Sequence, residues 1–143
     1  MAKPDPALLN AARYPFSHEI NTRFADLDPN AHVNNVAMAA FLEDGRVRFN
    51  GAVGIGRTMP ELRFMVVNVQ IDYLAQAHYP GTITCHGAAA AVGRTSFTVQ
   101  QLLTQHGVAV AVARSVVVCT DGARPVTLPD AVRALFDPWM LRE

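Results

Sequence analysis

Residues 36–49, VAMAAFLEDGRVRF, decide how this chain folds. Ala, Met and Leu dominate the first half, and all three favour helix. No polar residue occurs from Val36 to Leu42. A helix apolar on every face is enclosed on all sides, so the pattern predicts a buried helix start. Glu43, Asp44, Arg46 and Arg48 then predict that the other end emerges towards water. Gly51, Gly54, Gly56 and Pro60 follow and predict the end of the helix and a loop.

An enclosed helix needs a wrapping, and the flanking sequence supplies strands. Residues 15–24 read as the first, after a loose lead-in over residues 1–14. Val67, Val69, Ile71 and Tyr73 alternate with Asn68, Gln70 and Asp72, the period of a half-buried strand. His78-Tyr79-Pro80-Gly81 reads as a turn, and residues 82–92 as a strand of small residues. Residues 95–105 and 108–119 form two more, joined by the hairpin signal His106-Gly107. Residues 129–136 read as a short terminal helix with Pro129 early in it. Short connections predict antiparallel neighbours. The expectation is one α+β domain over residues 1–143, a five-stranded antiparallel sheet wrapped around a central helix. Its open edge and apolar face predict a homodimer.

Composition narrows the function. A chain of 143 residues suits one domain with its own core. Half the residues are apolar and 17% are charged, which excludes a disordered segment. Twelve basic residues balance twelve acidic ones, so the net basic footprint of a nucleic-acid binder is missing. Lys3 is the only Lys, which leaves Schiff-base chemistry almost no candidate. No apolar run reaches the ~18 residues of a membrane span, and the N-terminus lacks the apolar centre of a signal peptide. Cys85 and Cys119 are isolated, with no CxxC, and do not form a disulfide framework. The expected setting is reducing and cytoplasmic.

The chemistry concentrates in residues 23–35, RFADLDPNAHVNN. Asp26, Asp28, Asn30, His32, Asn34 and Asn35 stand immediately before the enclosed helix. A helix start leaves free N–H groups at the positive end of the macrodipole, which can hold a developing oxyanion. A nearby carboxylate can serve as general base or nucleophile. These are the minimal parts for acyl transfer without a Ser or Cys nucleophile. A purely structural reading of the same residues is also open. Asp28-Pro29-Asn30 can be a turn, Asn34 an N-cap and His32 a hydrogen-bonded loop residue. Asp26, two residues before Asp28, faces away if the chain is extended and reads as structural. Glu43 lies about 12 Å along the helix and reads as an ion partner of Arg46 or Arg23.

Other chemistries lack their signatures. None of Ser17, Ser96 and Ser115 sits in a GxSxG. Gly54-Ile55-Gly56 follows a helix rather than a strand, the wrong context for a dinucleotide loop, and no Walker sequence occurs. Asp28 and His32 have no second His or Cys at close spacing to complete a metal site, so no metal and no cofactor is expected.

The segment FADLDPNAHVNNVAMAAFLEDGR resembles the opening of hotdog-fold acyl thioesterases of the hydroxybenzoyl-CoA type, with their aromatic-x-D-x-D-x-x-x-H-V-N-N pattern and E-x-x-R-like helix. It is also similar to the Asp-x-Asn-x-His and Val-Asn-Asn segment of acyl-ACP thioesterases. IDYLAQAHYPGTI and VGRTSFTVQQLL resemble later strands of the family. The resemblance implies the hotdog fold, a homodimer or homotetramer with sites between subunits, and metal-free hydrolysis of an acyl-CoA or acyl-ACP. Carried over, Asp28 is the catalytic carboxylate, and Asn30 and His32 position the thioester or water. Amides at Asn34, Asn35 or Val36 face the thioester oxygen, and Arg94 and Ser96 lie in the stretch that contacts coenzyme A. Two departures stand out. Met38 replaces a usual aromatic, and Arg94 is the only basic residue of its stretch. Two further readings use the same pocket: a binding module for an acyl group or acyl carrier, and a hotdog dehydratase or hydratase acting on acyl thioesters.

Overall fold

The computed structural model describes residues 3–143. Helix α1 runs from Asn35 to Val53. Asn34 caps it, its side-chain oxygen accepting from the Ala37 amide at 2.6 Å. The helix passes through Gly51, and Gly54 stops it in the left-handed conformation at φ 89°. A one-turn helix α2, Ile55–Thr58, follows.

The enclosure predicted for α1 is half met within one chain. Ala37, Met38, Phe41, Leu42, Gly45, Phe49 and Val53 are buried. Val36 is 80% exposed and Val47 65%, with Ala40 and Glu43 on the same stripe. Positions 36, 40, 43 and 47 share one helix face, so a 3.6-residue period leaves that face without a cover. Arg46, by contrast, is buried, and its guanidinium donates to the Ser115 hydroxyl at 3.3 Å. Burial holds its pKa below the usual arginine range, against the pull of Glu43. Neither of the ion pairs expected for Glu43 forms, because Glu43 points to solvent and Arg23 binds Asp26.

Strands β1 (Phe16–Asn21), β2 (Arg63–Tyr73), β3 (Thr82–Val92), β4 (Ser96–Gln105) and β5 (Val108–Thr120) form one antiparallel sheet in the order β1-β3-β4-β5-β2. The β4–β5 hairpin turns at His106 and Gly107, both at positive φ (51° and 76°). The short link between β2 and β3 does not make them neighbours, contrary to expectation. Instead residues 74–81 cross the end of the sheet, because β2 pairs with β5 on the far side. As an edge strand, β2 is not half-buried. Met65, Val67 and Val69 are 57%, 61% and 44% exposed, and a register shift at Val67 breaks the alternation. Helix α3 (Asp130–Ala134) is shorter than expected, with Pro129 as its N-cap.

Two cores lie between α1 and the sheet. Met38, Phe41 and Leu42 meet Ile83, Leu103 and Ala111 near the helix start. Phe49 and Val53 meet Ala89, Phe97, Val117 and Phe136 near its end. The lead-in is not loose. Two 3-10 turns, Pro6–Leu9 and Ala11–Arg13, lie on the opposite face of the sheet. There Leu8 and Leu9 pack beside Tyr14, Leu102 and Val112. Burial raises the Tyr14 pKa despite Arg13 and Gln100, and its hydroxyl donates to the Leu8 carbonyl at 2.7 Å.

Candidate active site

After β1 the chain turns inward at Arg23. Asp26 is buried, and its carboxylate accepts from the Arg23 amide at 2.9 Å and from the Arg23 guanidinium at 2.8 Å. It is structural, as expected. The Arg23 side-chain hydrogen bond outweighs burial and holds the Asp26 carboxyl below the usual carboxylate range. A depressed folded-state pKa stabilises above the unfolded value of about 3.9 and is lost as pH falls through the folded one. Thermal melts against pH are expected to show Asp26→Asn less stable than wild type at neutral pH. The gap should narrow below about pH 4. A gap independent of pH would show that the charge contributes nothing.

Asp28 builds the next loop on itself. Its amide donates to the His32 carbonyl at 2.8 Å, and the Ala31 amide returns to the Asp28 carbonyl at 3.0 Å. Its Oδ1 accepts from the amides of Asn30 (2.8 Å) and His32 (3.1 Å). Ala31 takes the left-handed conformation needed to close this turn, at φ 61°. The turn reading of Asp28-Pro29-Asn30 is therefore correct for one carboxylate oxygen. Oδ2 has no hydrogen-bond partner among the described residues.

The loop then delivers the chain into α1. The Val33 amide donates to the Ala77 carbonyl (2.9 Å) and the Asn34 amide to the Asp26 carbonyl (2.8 Å). Asn34 is thus the N-cap, and its occupied N–H cannot also face a substrate oxygen. The amides of Asn35 and Val36, in the first turn, have no intrahelical acceptor. The Val36 side chain points to solvent, and Val36 is not among the residues that line the cleft formed beside it.

Asp28, Asn30, His32 and Asn35 line one cleft of about 300 Å³ with Met38, Tyr73 and Gln76. The last two were not singled out from sequence. Tyr73 arrives as the last residue of β2 and Gln76 through the crossing of residues 74–81, a placement that no local pattern reveals. Tyr73 closes the wall by donating its hydroxyl to the Asn35 carbonyl at 3.2 Å. Arg94 and Ser96 are not brought to this cleft within one chain. They lie at the β3–β4 turn, level with Arg63 of β2, whereas the cleft is at the Tyr73 end. There the exposed Arg94 reaches the Thr127 hydroxyl at 3.5 Å. Among the described residues no cluster of three or more His, Cys, Asp or Glu could hold a metal. No helix is long and apolar enough to cross a membrane.

Residues 22–136 match the family model of the thioesterase-like superfamily. The chain belongs to that superfamily. Solved structures of similar proteins give the same answer. A thioesterase from Thermus thermophilus, solved with coenzyme A and zinc, is 27% identical, with a TM-score of 0.81 over 92% of this chain and 98% of its own. A predicted thioesterase from Bacillus stearothermophilus is 26% identical, with a TM-score of 0.80 over 90% and 98%. YbaW of Escherichia coli, described as a probable thioesterase, is 25% identical, with a TM-score of 0.77 over 87% and 98%. No curated protein matches in sequence. The sheet wrapped on α1 is the hotdog fold of these thioesterases.

Proposed function

We propose that this member of the thioesterase-like superfamily hydrolyses acyl thioesters, with Asp28 as the catalytic carboxylate. One observation carries the reading: Asp28, with one carboxylate oxygen unpartnered, and Asn35, the first helical residue, whose amide has no intrahelical acceptor, line the same cleft, and the Val36 amide follows in the same helical turn. Asp28 takes a proton from water as the water oxygen bonds to the thioester carbon. The carbonyl oxygen becomes an oxyanion, which the Asn35 and Val36 amides hold. Its collapse breaks the C–S bond, and the leaving thiolate takes the proton back from Asp28. Attack by Asp28 itself, through a mixed anhydride that water then cleaves, uses the same atoms. Asn30 and His32 position the thioester or water.

The coenzyme A in the Thermus thermophilus relative supports an acyl-CoA substrate, and an acyl-ACP remains the other carrier. The test is free-thiol release from short, long and aromatic acyl-CoAs, then acyl-ACPs. Turnover of any of them supports the reading, and turnover of none overturns it. The rival reading is a non-catalytic acyl-carrier module, favoured by the use of Asp28 Oδ1 within its own turn. Such a module would bind the same thioesters without releasing thiol.

We also propose that the site is completed in a homodimer. Met65, Val67 and Val69 on an unpaired edge, with Val36 and Val47 on α1, suit a second copy. Two-fold pairing along β2 is antiparallel and sets the Arg63 end of the copy beside this cleft. The Arg94 turn of the copy belongs to that same end, which gives Arg94 and Ser96 a route to the carrier. Sedimentation equilibrium is expected to show a dimer for wild type and a monomer for Val67→Asp. A monomeric wild type would overturn the interface.

A further inference from the structure

We infer that His78 is a positioning residue for His32. The inference rests on the thioester-hydrolysis reading. His78 lies in the crossing of residues 74–81, outside the motif that carries the carboxylate, and it does not line the cleft.

The crossing is fastened by main-chain groups. The His78 amide donates to Gln105 Oε1 at 2.8 Å, and the His78 carbonyl accepts from Gln105 Nε2 at 2.9 Å. Gln105 is itself buried. The Gly81 carbonyl accepts from the Thr22 amide (3.0 Å) and hydroxyl (2.8 Å), and the Ala77 carbonyl from the Val33 amide (2.9 Å). None of these bonds uses the His78 side chain. Its imidazole is therefore spare as far as loop placement goes.

That imidazole meets His32. The two ring centroids are 5.3 Å apart at an interplanar angle of 69°, an edge-to-face contact. Beside it, Phe24 and Tyr79 make a second contact of the same kind at 6.2 Å and 75°. The backbone of His32 is already locked to Asp28 through its amide and carbonyl. Only the ring is left to turn about its side-chain bonds, and the His78 ring closes off part of that rotation. A group that must meet a thioester or water within about 0.5 Å gains rate from such restriction. His78 thus acts through His32 and not on substrate.

The experiment compares wild type, His78→Ala and His78→Phe on the best acyl thioester. In His78→Ala, kcat is expected to fall about tenfold or more, with KM and Tm nearly unchanged. His78→Phe, which restores a ring, is expected to recover most of the loss. The inference is overturned if kcat is unchanged in His78→Ala, if KM alone rises, or if the Phe variant is as slow as the Ala variant. A second arm needs no turnover. The His32 ring proton NMR shifts should move in His78→Ala and return towards wild type in His78→Phe. Unmoved shifts would refute the contact. An inactive wild type with the expected shifts would instead refute the thioester reading alone.

Discussion

Asp28→Asn is expected to lower kcat/KM on the best acyl thioester by about 10²-fold or more, while Tm stays close to wild type. The two effects separate because the carboxylate has two oxygens with two duties. Oδ1 holds the amides of Asn30 and His32, and the oxygen of a carboxamide can accept the same bonds. The turn into α1 therefore survives. Oδ2 becomes an NH₂ group, which neither accepts a proton from water nor attacks a carbonyl. Asp28→Ala is a weaker experiment, since it also frees the two amides and loosens the loop. A clear wild-type rate matched by Asp28→Asn would remove Asp28 from the chemistry.

Phe49→Ala is expected to cost about 3–5 kcal/mol of folding stability. Phe49 is fully buried and sits between Phe16 (5.8 Å, 71°) and Trp139 (6.1 Å, 89°), both edge-to-face. It also packs over Gly87, where even a methyl group would stand 3.4 Å from the ring. Truncation leaves a cavity walled by a helix, a strand and the C-terminal segment, which cannot all close in together. For a domain stable by about 5–15 kcal/mol this is a large share. Urea denaturation should show a lower midpoint at unchanged slope. Phe49 is about 20 Å along the helix from Asn35, so the remaining folded protein should keep most of its kcat. A loss below about 1 kcal/mol would mean that the site collapses and refills.

The candidate site was legible in the sequence because its parts are consecutive. Asp28, Asn30, His32 and the first turn of α1 are one stretch of chain, and a turn followed by a helix start places them without outside help. The Gly54 stop and the His106-Gly107 hairpin were legible for the same local reason. The neighbours of β2 were not. Alternation fixes which face a residue takes, not which strand lies beside it. The pairing that places Tyr73 and the crossing that brings Gln76 to the cleft were therefore hidden, and so was the distance of Arg94 from it. The apolar run from Val36 to Leu42 predicts enclosure that one chain supplies only in part. Hydrophobicity marks a surface that needs cover but not whether the same chain supplies it, and the stripe through Val36 and Val47 is left open.

The crossing also sets an order of assembly. β3, β4 and β5 form a meander joined by tight turns, whose contacts are local and close early. β1 and β2 precede that meander in the chain but must wait for it, since each pairs with a strand made much later. One wall of the cleft hangs on those late arrivals: Tyr73 ends β2, and Leu74, Ala75 and Gln76 lead on from it. On this order the candidate cleft is expected to close late and to open first. Its amides should exchange with solvent through local openings well below the free energy that unravels the meander.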